Sequence, residues 1–181
     1  MRALVAALLV VSLTGCTTYH SKIEFTEPSI SPSPDPPSPE GECGPANVLR
    51  AMAVKPVGTA IAENPNLSLL GAALKRANAL KSLDRAPALT LFAPTNKAFE
   101  RLPAAERSDQ KTMMHILEKH IVTWRLSPDQ LPGKHATLGR TELNVQKKAG
   151  SVAIDGVATV MCSNVQTKNA VVYIIDAVLG N

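Results

Sequence analysis

The sequence predicts an α+β domain in which helices come first and short strands follow. Two observations indicate the helical half: apolar residues recur at helical spacing from residue 57 to 80 and again from 108 to 122. A third indicates the strand half, because apolar and polar residues alternate after Trp124 and Asp155-Gly156 is a strong hairpin signal. Helices followed by a run of strands are typical of α+β architecture.

The first 15 residues are predicted to be a lipoprotein signal peptide. One positive charge, Arg2, precedes an apolar run over residues 3–13, which suits a secretory signal and is too short to span a bilayer. The run "LTGC" that ends at Cys16 resembles a bacterial lipobox, so we expect lipidation of Cys16 after cleavage in front of it. The alternative is an ordinary cleaved signal in which the cysteine occurs by chance.

Residues 16–42 are predicted to be a lipidated cysteine followed by a tether. The stretch over residues 28–39 is rich in proline and serine, cannot bury a core and favours extended polyproline geometry. We interpret it as a spacer, with a proline-rich ligand for another protein as the alternative. The lipid would place the protein in the cell envelope, outside the cytoplasm. Thr17 after the cysteine resembles the pattern sent to the outer membrane where a host has one.

The folded domain is predicted over residues 43–181 and opens with helices. The stretch 57–80 predicts two helices broken at Asn64-Pro65. A strand follows over residues 86–95 and ends at Pro94, after which Thr95 or Asn96 is expected to cap a short helix. Ser108 is the expected N-cap of a further helix over residues 108–122.

The remaining elements are predicted strands. Leu143 and Val145 alternate with polar residues, and so do Val152 and Ile154 before the hairpin signal. The nearly continuous apolar run over residues 170–179 predicts a central strand.

The two cysteines outside the leader, Cys43 and Cys162, are predicted to form a disulfide. They are an even pair in a chain that the leader directs to an oxidising compartment. The alternative is two buried free thiols.

Composition and motifs argue against several functions. The net charge is +4, the basic residues are scattered and aromatic residues make up 3% of the chain, which disfavours nucleic-acid binding. No hydrolase, phosphate-loop or zinc-protease motif is present. His115 and His120 are five residues apart and lie on different helix faces, a poor chelate. We therefore expect no metal, no cofactor and no enzyme, with an undetected site in space as the alternative.

Three stretches resemble the signatures of fasciclin domains: "LTLFAPTNKAFERLP", "ILEKHIV" and "NAVVYIIDAVL". The resemblance covers residues 57–179 and implies a wedge of about seven strands in two sheets with helices packed around it. It also implies adhesion or ligand binding at a cell surface. Small bacterial members of the family carry cysteines placed like Cys43 and Cys162, and some are lipoproteins. Lys119 stands where the family has tyrosine, so the integrin binding linked to that tyrosine in animal relatives is not carried over.

The family-motif residues are expected to be structural. Phe92 and Phe99 should be buried against the helices, and Tyr173 should be buried in the terminal strand. Thr95 and Asn96 should act as caps. Asp176 needs a partner for its charge, and His120 is expected to be a hydrogen-bonded core residue rather than a ligand.

The predicted function is that of a surface-anchored adhesion or interaction module without catalysis. The alternative is a carrier that holds a lipid or another small apolar ligand. The expected partners are the membrane, through the lipid, and an unidentified protein or glycan of a cell surface, matrix or host. The stretch over residues 131–140 is the candidate contact surface, because a Pro-Gly turn accompanies Lys134, His135 and Arg140.

Overall fold

The computed structural model of the chain describes residues 43–148 and 150–180. The predicted signal peptide, Cys16 and tether lie outside the described residues. The helices are α1 Ala46–Ala53, α2 Val57–Glu63, a 3-10 turn Pro65–Leu67, α3 Ser68–Arg76, α4 Leu80–Arg85, α5 Asn96–Glu100, α6 Ala104–Ser108 and α7 Gln110–Lys119. The strands are β1 Leu89–Pro94, β2 Ile121–Val122, β3 Gly133–Ala136, β4 Glu142–Lys148, β5 Ser151–Ile154, β6 Ala158–Gln166 and β7 Ala170–Ile175. Within the described part of the chain, no helix is long and apolar enough to cross a membrane.

The strands follow the order β2-β1-β7-β6-β5-β4-β3 in one sheet. β1 and β7 run parallel, with Leu89 opposite Ala170 and Phe92 opposite Tyr173, while the other neighbours are antiparallel. The two strands that carry the signature motifs are therefore hydrogen-bonded to each other at the centre of the fold. The α+β class is confirmed, whereas the expected division into two sheets is not, because β5 pairs with β6 and joins the two halves.

Two hydrophobic cores lie on opposite faces of β1 and β7. The helix-side core contains Leu91 of β1, Val172 of β7 and Phe99 of α5, together with apolar residues of α2, α3 and α7. The strand-side core contains Phe92 and Tyr173, together with apolar residues of β4 and β5. Successive strand residues point to opposite faces, and both faces are covered, so all six residues of each strand are buried.

The expectation that Phe92 packs against the helices is wrong. Leu91 and Ala93 face the helices, so the alternation of the strand sends Phe92 to the other face. There its ring stacks on that of Tyr173, with centroids 5.8 Å apart.

The boundaries of α7 differ from the prediction at both ends, and the helix predicted to continue to residue 80 ends at Arg76 as α3. Asp109, not Ser108, caps α7, because its Oδ2 accepts a hydrogen bond from the Thr112 N–H at 2.8 Å. Ser108 instead ends α6 and donates to the Ala105 carbonyl. The apolar pair Ile121–Val122, predicted at the end of this helix, forms β2 and pairs with β1. The predicted break at Asn64-Pro65 is present.

The disulfide between Cys43 and Cys162 is present, with Cα atoms 5.1 Å apart and a sequence separation of 119. It joins the segment before α1 to β6 and is buried in the helix-side core. The bridge thus ties the beginning of the described domain to a late strand.

Candidate functional site

The signature residues at the start of α5 connect this helix to α3. Thr95 caps α5, since its Oγ1 accepts from the Ala98 N–H at 3.3 Å. The Asn96 side chain does not cap its own helix: its Oδ1 accepts from the Leu69 N–H at 3.0 Å, and its Nδ2 donates to the Pro65 carbonyl at 2.9 Å. Asn96 therefore satisfies a free backbone N–H in the first turn of α3 and bonds to a carbonyl of the 3-10 turn in front of it.

Asp176 follows β7 and has a backbone partner rather than a cation. Its Oδ1 accepts from the Thr159 N–H at 2.6 Å, and its own N–H donates to the Thr159 carbonyl at 3.1 Å. These two bonds pair the end of β7 with the start of β6 next to an irregularity in the ladder. The Arg101 guanidinium donates to the Asp176 carbonyl at 3.3 Å.

His120 is buried at the end of α7, and both ring nitrogens are occupied. Nε2 must accept, because the Leu179 N–H donates to it at 3.0 Å. Nδ1 then carries the proton and donates to the Ile116 carbonyl at 2.7 Å. Burial, together with the nearby Lys119 charge, lowers the pKa of His120 to about 4 in spite of the Ile116 bond. A neutral imidazole in this position ties α7 to the C-terminal segment and has no free nitrogen for a metal or a substrate.

Lys119 stands where the family resemblance places a tyrosine, and it also contacts the C-terminal segment. Its Nζ donates to the Gly180 carbonyl at 3.3 Å. The side chain also lies close to the Gly180 Cα, where an added Cβ would come within 2.6 Å of the Lys119 Cδ. Lys119, the last residue of α7, and His120, which follows it, thus hold Leu179 and Gly180 in place.

Tyr173 fixes a loop on the strand side of the sheet. Its hydroxyl donates to the Leu126 carbonyl at 2.9 Å, and the Leu126 N–H donates to Thr90 Oγ1 at 2.8 Å. The Thr90 hydroxyl in turn donates to the Trp124 carbonyl at 2.7 Å. Burial, and to a smaller extent the Asp129 charge, raises the pKa of Tyr173, so this hydroxyl keeps its proton.

The expectation that His135 belongs to an exposed contact surface is wrong. His135 is only 7% exposed, lies opposite Leu143 in the β3–β4 pairing, and hydrogen-bonds through Nε2 with the Leu131 carbonyl at 2.8 Å. Its position on β3 turns the ring inward, while the residues on either side of it face solvent. Lys134 and Arg140 are exposed.

Lys134 forms a solvent-exposed ion pair with Glu142 at 3.4 Å, which contributes little to stability. Arg140 lies in the turn between β3 and β4 with a φ of 58°. Both cations thus lie at or beside β3, the strand at one end of the sheet order.

A polar cleft of about 520 Å³ opens beside the signature residues and includes Thr95, Lys97, Arg101 and Asp176 in its lining. Thr95, Arg101 and Asp176 already make the backbone hydrogen bonds described above. Over residues 43–148 and 150–180, no three His, Cys, Asp or Glu side chains are grouped to hold a metal ion.

The paired signature strands, the helices around them and the signature hydrogen bonds define a fasciclin domain. Residues 65–181 match the model of this domain family, and the chain belongs to the fasciclin family. The match begins at Pro65, so α1 and α2 precede the matched region.

Two mycobacterial proteins are similar to this chain. The cell surface glycolipoprotein MPB83 of Mycobacterium bovis is 32% identical over 207 residues, which cover 98% of this chain and 93% of that protein. The immunogenic protein MPB70 of the same species is 38% identical over 145 residues, which cover 75% of this chain and 74% of that protein. The first alignment therefore takes in nearly the whole length of both proteins.

A solved structure shares the fold. It is that of a FAS1 domain pair from the insect cell adhesion molecule fasciclin I, with a TM-score of 0.62 and 18% sequence identity. The superposition covers 70% of this chain and 51% of that chain, so this chain spans about half of the insect domain pair. At this identity the likeness concerns the fold alone.

Proposed function

We propose that this protein is a lipid-anchored surface protein whose fasciclin domain acts as an adhesion or interaction module without catalytic turnover. The observation that carries the proposal is the nearly full-length alignment with a protein named as a cell surface glycolipoprotein. The signature residues support a non-catalytic role, because both ring nitrogens of His120 and one carboxylate oxygen of Asp176 are engaged by backbone groups. The proposed partner is a protein or glycan of a cell surface, matrix or host.

The proposed anchor is a lipid on Cys16, attached through a thioether after the leader directs the chain to the membrane. A single acyl chain holds a protein only marginally, whereas two or more chains anchor it stably. We expect Cys16→Ser to release the protein from the membrane fraction or to leave an uncleaved precursor. Cell fractionation and mass spectrometry of the native N-terminus measure this, with Thr17→Ser as the matched control. Membrane-bound protein with an unmodified Cys16 would contradict the proposal.

The proposed contact surface is the β3 end of the sheet, around Lys134 and Arg140. An exposed terminal strand offers unpaired backbone groups to a partner, and the two cations add charge to it. We expect the double variant Lys134→Glu/Arg140→Asp to weaken binding to envelope or host-cell surfaces. Aspartate is chosen at residue 140 because it tolerates the positive φ found there.

The same variant should change the free energy of unfolding by no more than about 0.5 kcal/mol, as surface substitutions usually do. The control variant Lys75→Glu/Lys111→Glu changes charge by a similar amount on exposed helix positions and should bind normally. Unchanged binding of the β3 variant would refute this contact surface. Turnover of any substrate by the purified protein would refute the non-catalytic proposal.

The alternative function, a carrier of a small apolar ligand, is favoured by one observation. An apolar cleft of about 480 Å³ lies between α3, α4 and α7, within the range typical of small-molecule sites.

A further inference from the structure

This apolar cleft has a floor of buried leucine and isoleucine side chains. Leu74 of α3, Leu83 of α4, Leu89 of β1, Leu117 of α7 and Ile121 of β2 all contribute to it, and each is at most 5% exposed. Protein interiors are normally filled to crystal-like density, so an apolar hollow of this size on a small domain is a candidate ligand site.

Small side chains keep the cleft open. Ala77, Ala79, Ala86 and Ala88 line it between the end of α3 and the start of β1, where larger residues would fill the space. Leu138 lines the cleft and is 48% exposed, and the hydrogen bond from its N–H to the Ile121 carbonyl, 2.7 Å long, fixes its backbone. The exposed leucine is therefore held beside the cleft by the fold.

A single negative side chain in the lining of the cleft favours some ligand head groups over others. Glu118 of α7 is the one ionisable residue among those that line it, and no Lys, Arg or His is among them. Within the described part of the chain, no ion pair engages the Glu118 carboxylate. A cationic or hydrogen-bond-donating head group would be attracted here, whereas a carboxylate or phosphate head group would be repelled.

We propose that the cleft binds a single alkyl chain with a cationic or neutral polar end, the chain lying on the leucine floor and the polar end beside Glu118. Lys134 and Arg140, the cations of the proposed adhesion surface, do not line the cleft, although Leu138 lies in the same β3–β4 turn as Arg140. Residues 17–42 of the same chain are a poor ligand for the cleft, because Glu118 would repel their acidic side chains. This segment has five acidic residues and one lysine: Glu24, Glu27, Asp35, Glu40, Glu42 and Lys22.

The test uses the predicted mature chain, residues 16–181, with Cys16→Ser, so that neither a covalent lipid nor the apolar leader competes for the cleft. Calorimetric titration at neutral pH compares dodecylammonium, dodecanol and dodecanoate below their micellar concentrations. We expect dodecylammonium to bind about tenfold more tightly than dodecanoate, as one pair of partly screened charges would produce, with dodecanol between them. Glu118→Gln should bring the affinities for the two charged probes to within about twofold of each other.

Two further variants test the location. Ala88→Phe should fill the cleft and weaken binding of all three probes at least tenfold, whereas Ala105→Phe on exposed α6 should not. Leu138→Ser, at an exposed position that needs no repacking, should weaken binding several-fold even if Ala88→Phe fails to fold.

The proposal is overturned if none of the probes binds, if dodecanoate is preferred, or if Glu118→Gln and Leu138→Ser leave binding unchanged. Self-association of the chain that Leu138→Ser abolishes would also overturn it, because the cleft would then be an interface between copies. The single variant Lys134→Glu changes the proposed contact surface on β3 and leaves the turn that holds Leu138 unaltered, so it should bind the probes normally. Failure of the contact surface and failure of the cleft are therefore distinguishable.

Discussion

Removal of the Cys43–Cys162 disulfide is expected to destabilise the domain by about 5 kcal/mol, the loop-closure term for a separation of 119 residues in the chain-entropy model. The bridge encloses most of the described domain, so its main effect is to restrict the unfolded chain. Both cysteines are also buried in the helix-side core, where the loss of their sulfur atoms removes packing. A loss of this size is comparable to the whole stability of a small domain.

Urea unfolding of the oxidised protein and of the Cys43→Ala/Cys162→Ala variant measures this effect. The largest change in amide exchange should occur in α1, which packs against β6 near the bridge and precedes the family match. Adding a reductant to the double variant is the control and should alter nothing. Equal midpoints for the oxidised protein and the variant would show that the bridge does not stabilise the domain.

The element types were predictable where a strong local pattern exists. The continuous apolar run over β7 predicts a strand from the sequence alone, and Pro94 predicts where β1 ends. The parallel pairing of Leu89 with Ala170 was not predictable, because no local signal records which distant strand becomes the neighbour. The same missing information explains the wrong side assigned to Phe92, since its face depends on where the helices dock.

The contacts of the site residues were also predictable only where the partner is close in sequence. The Thr95 cap uses a partner three residues away and follows from local chemistry. The Asn96 side chain bonds with Leu69 and Pro65, about thirty residues away, which no cap rule anticipates. His135 lies between Lys134 and Ala136, which are both exposed, and its own side chain is nevertheless buried on the inner face of β3.

The apolar cleft is the feature that could least be predicted from the sequence. Each alanine that lines it is unremarkable in its own segment, and Leu138 comes from a turn far from α3 and α4 in sequence. Empty volume arises only when the three helices and the sheet edge are assembled, so it has no sequence signature.

Acidification is expected to destabilise the domain by about 3 kcal/mol through His120 alone. In the unfolded chain His120 titrates near pH 6.5, whereas burial lowers its pKa to about 4 in the folded domain. The unfolded state therefore binds more protons between these values. The His120 contribution is fully present above pH 6.5 and is lost as the pH falls from 6.5 to 4.

Urea unfolding at pH 7.5 and pH 5 separates this effect from the carboxylates, most of which titrate at lower pH. His120→Gln retains an amide that can donate to Ile116 and accept from Leu179, so the variant should fold, be less stable at pH 7.5, and lose little further stability by pH 5. His115→Gln, at an exposed position on the same helix, should keep the full pH dependence of the parent protein. Equal pH dependence in the parent and in His120→Gln would mean that the pKa of His120 is the same in the folded and unfolded chain. The ring would then be protonated in the folded domain at pH 5, where Nε2 could no longer accept from the Leu179 N–H.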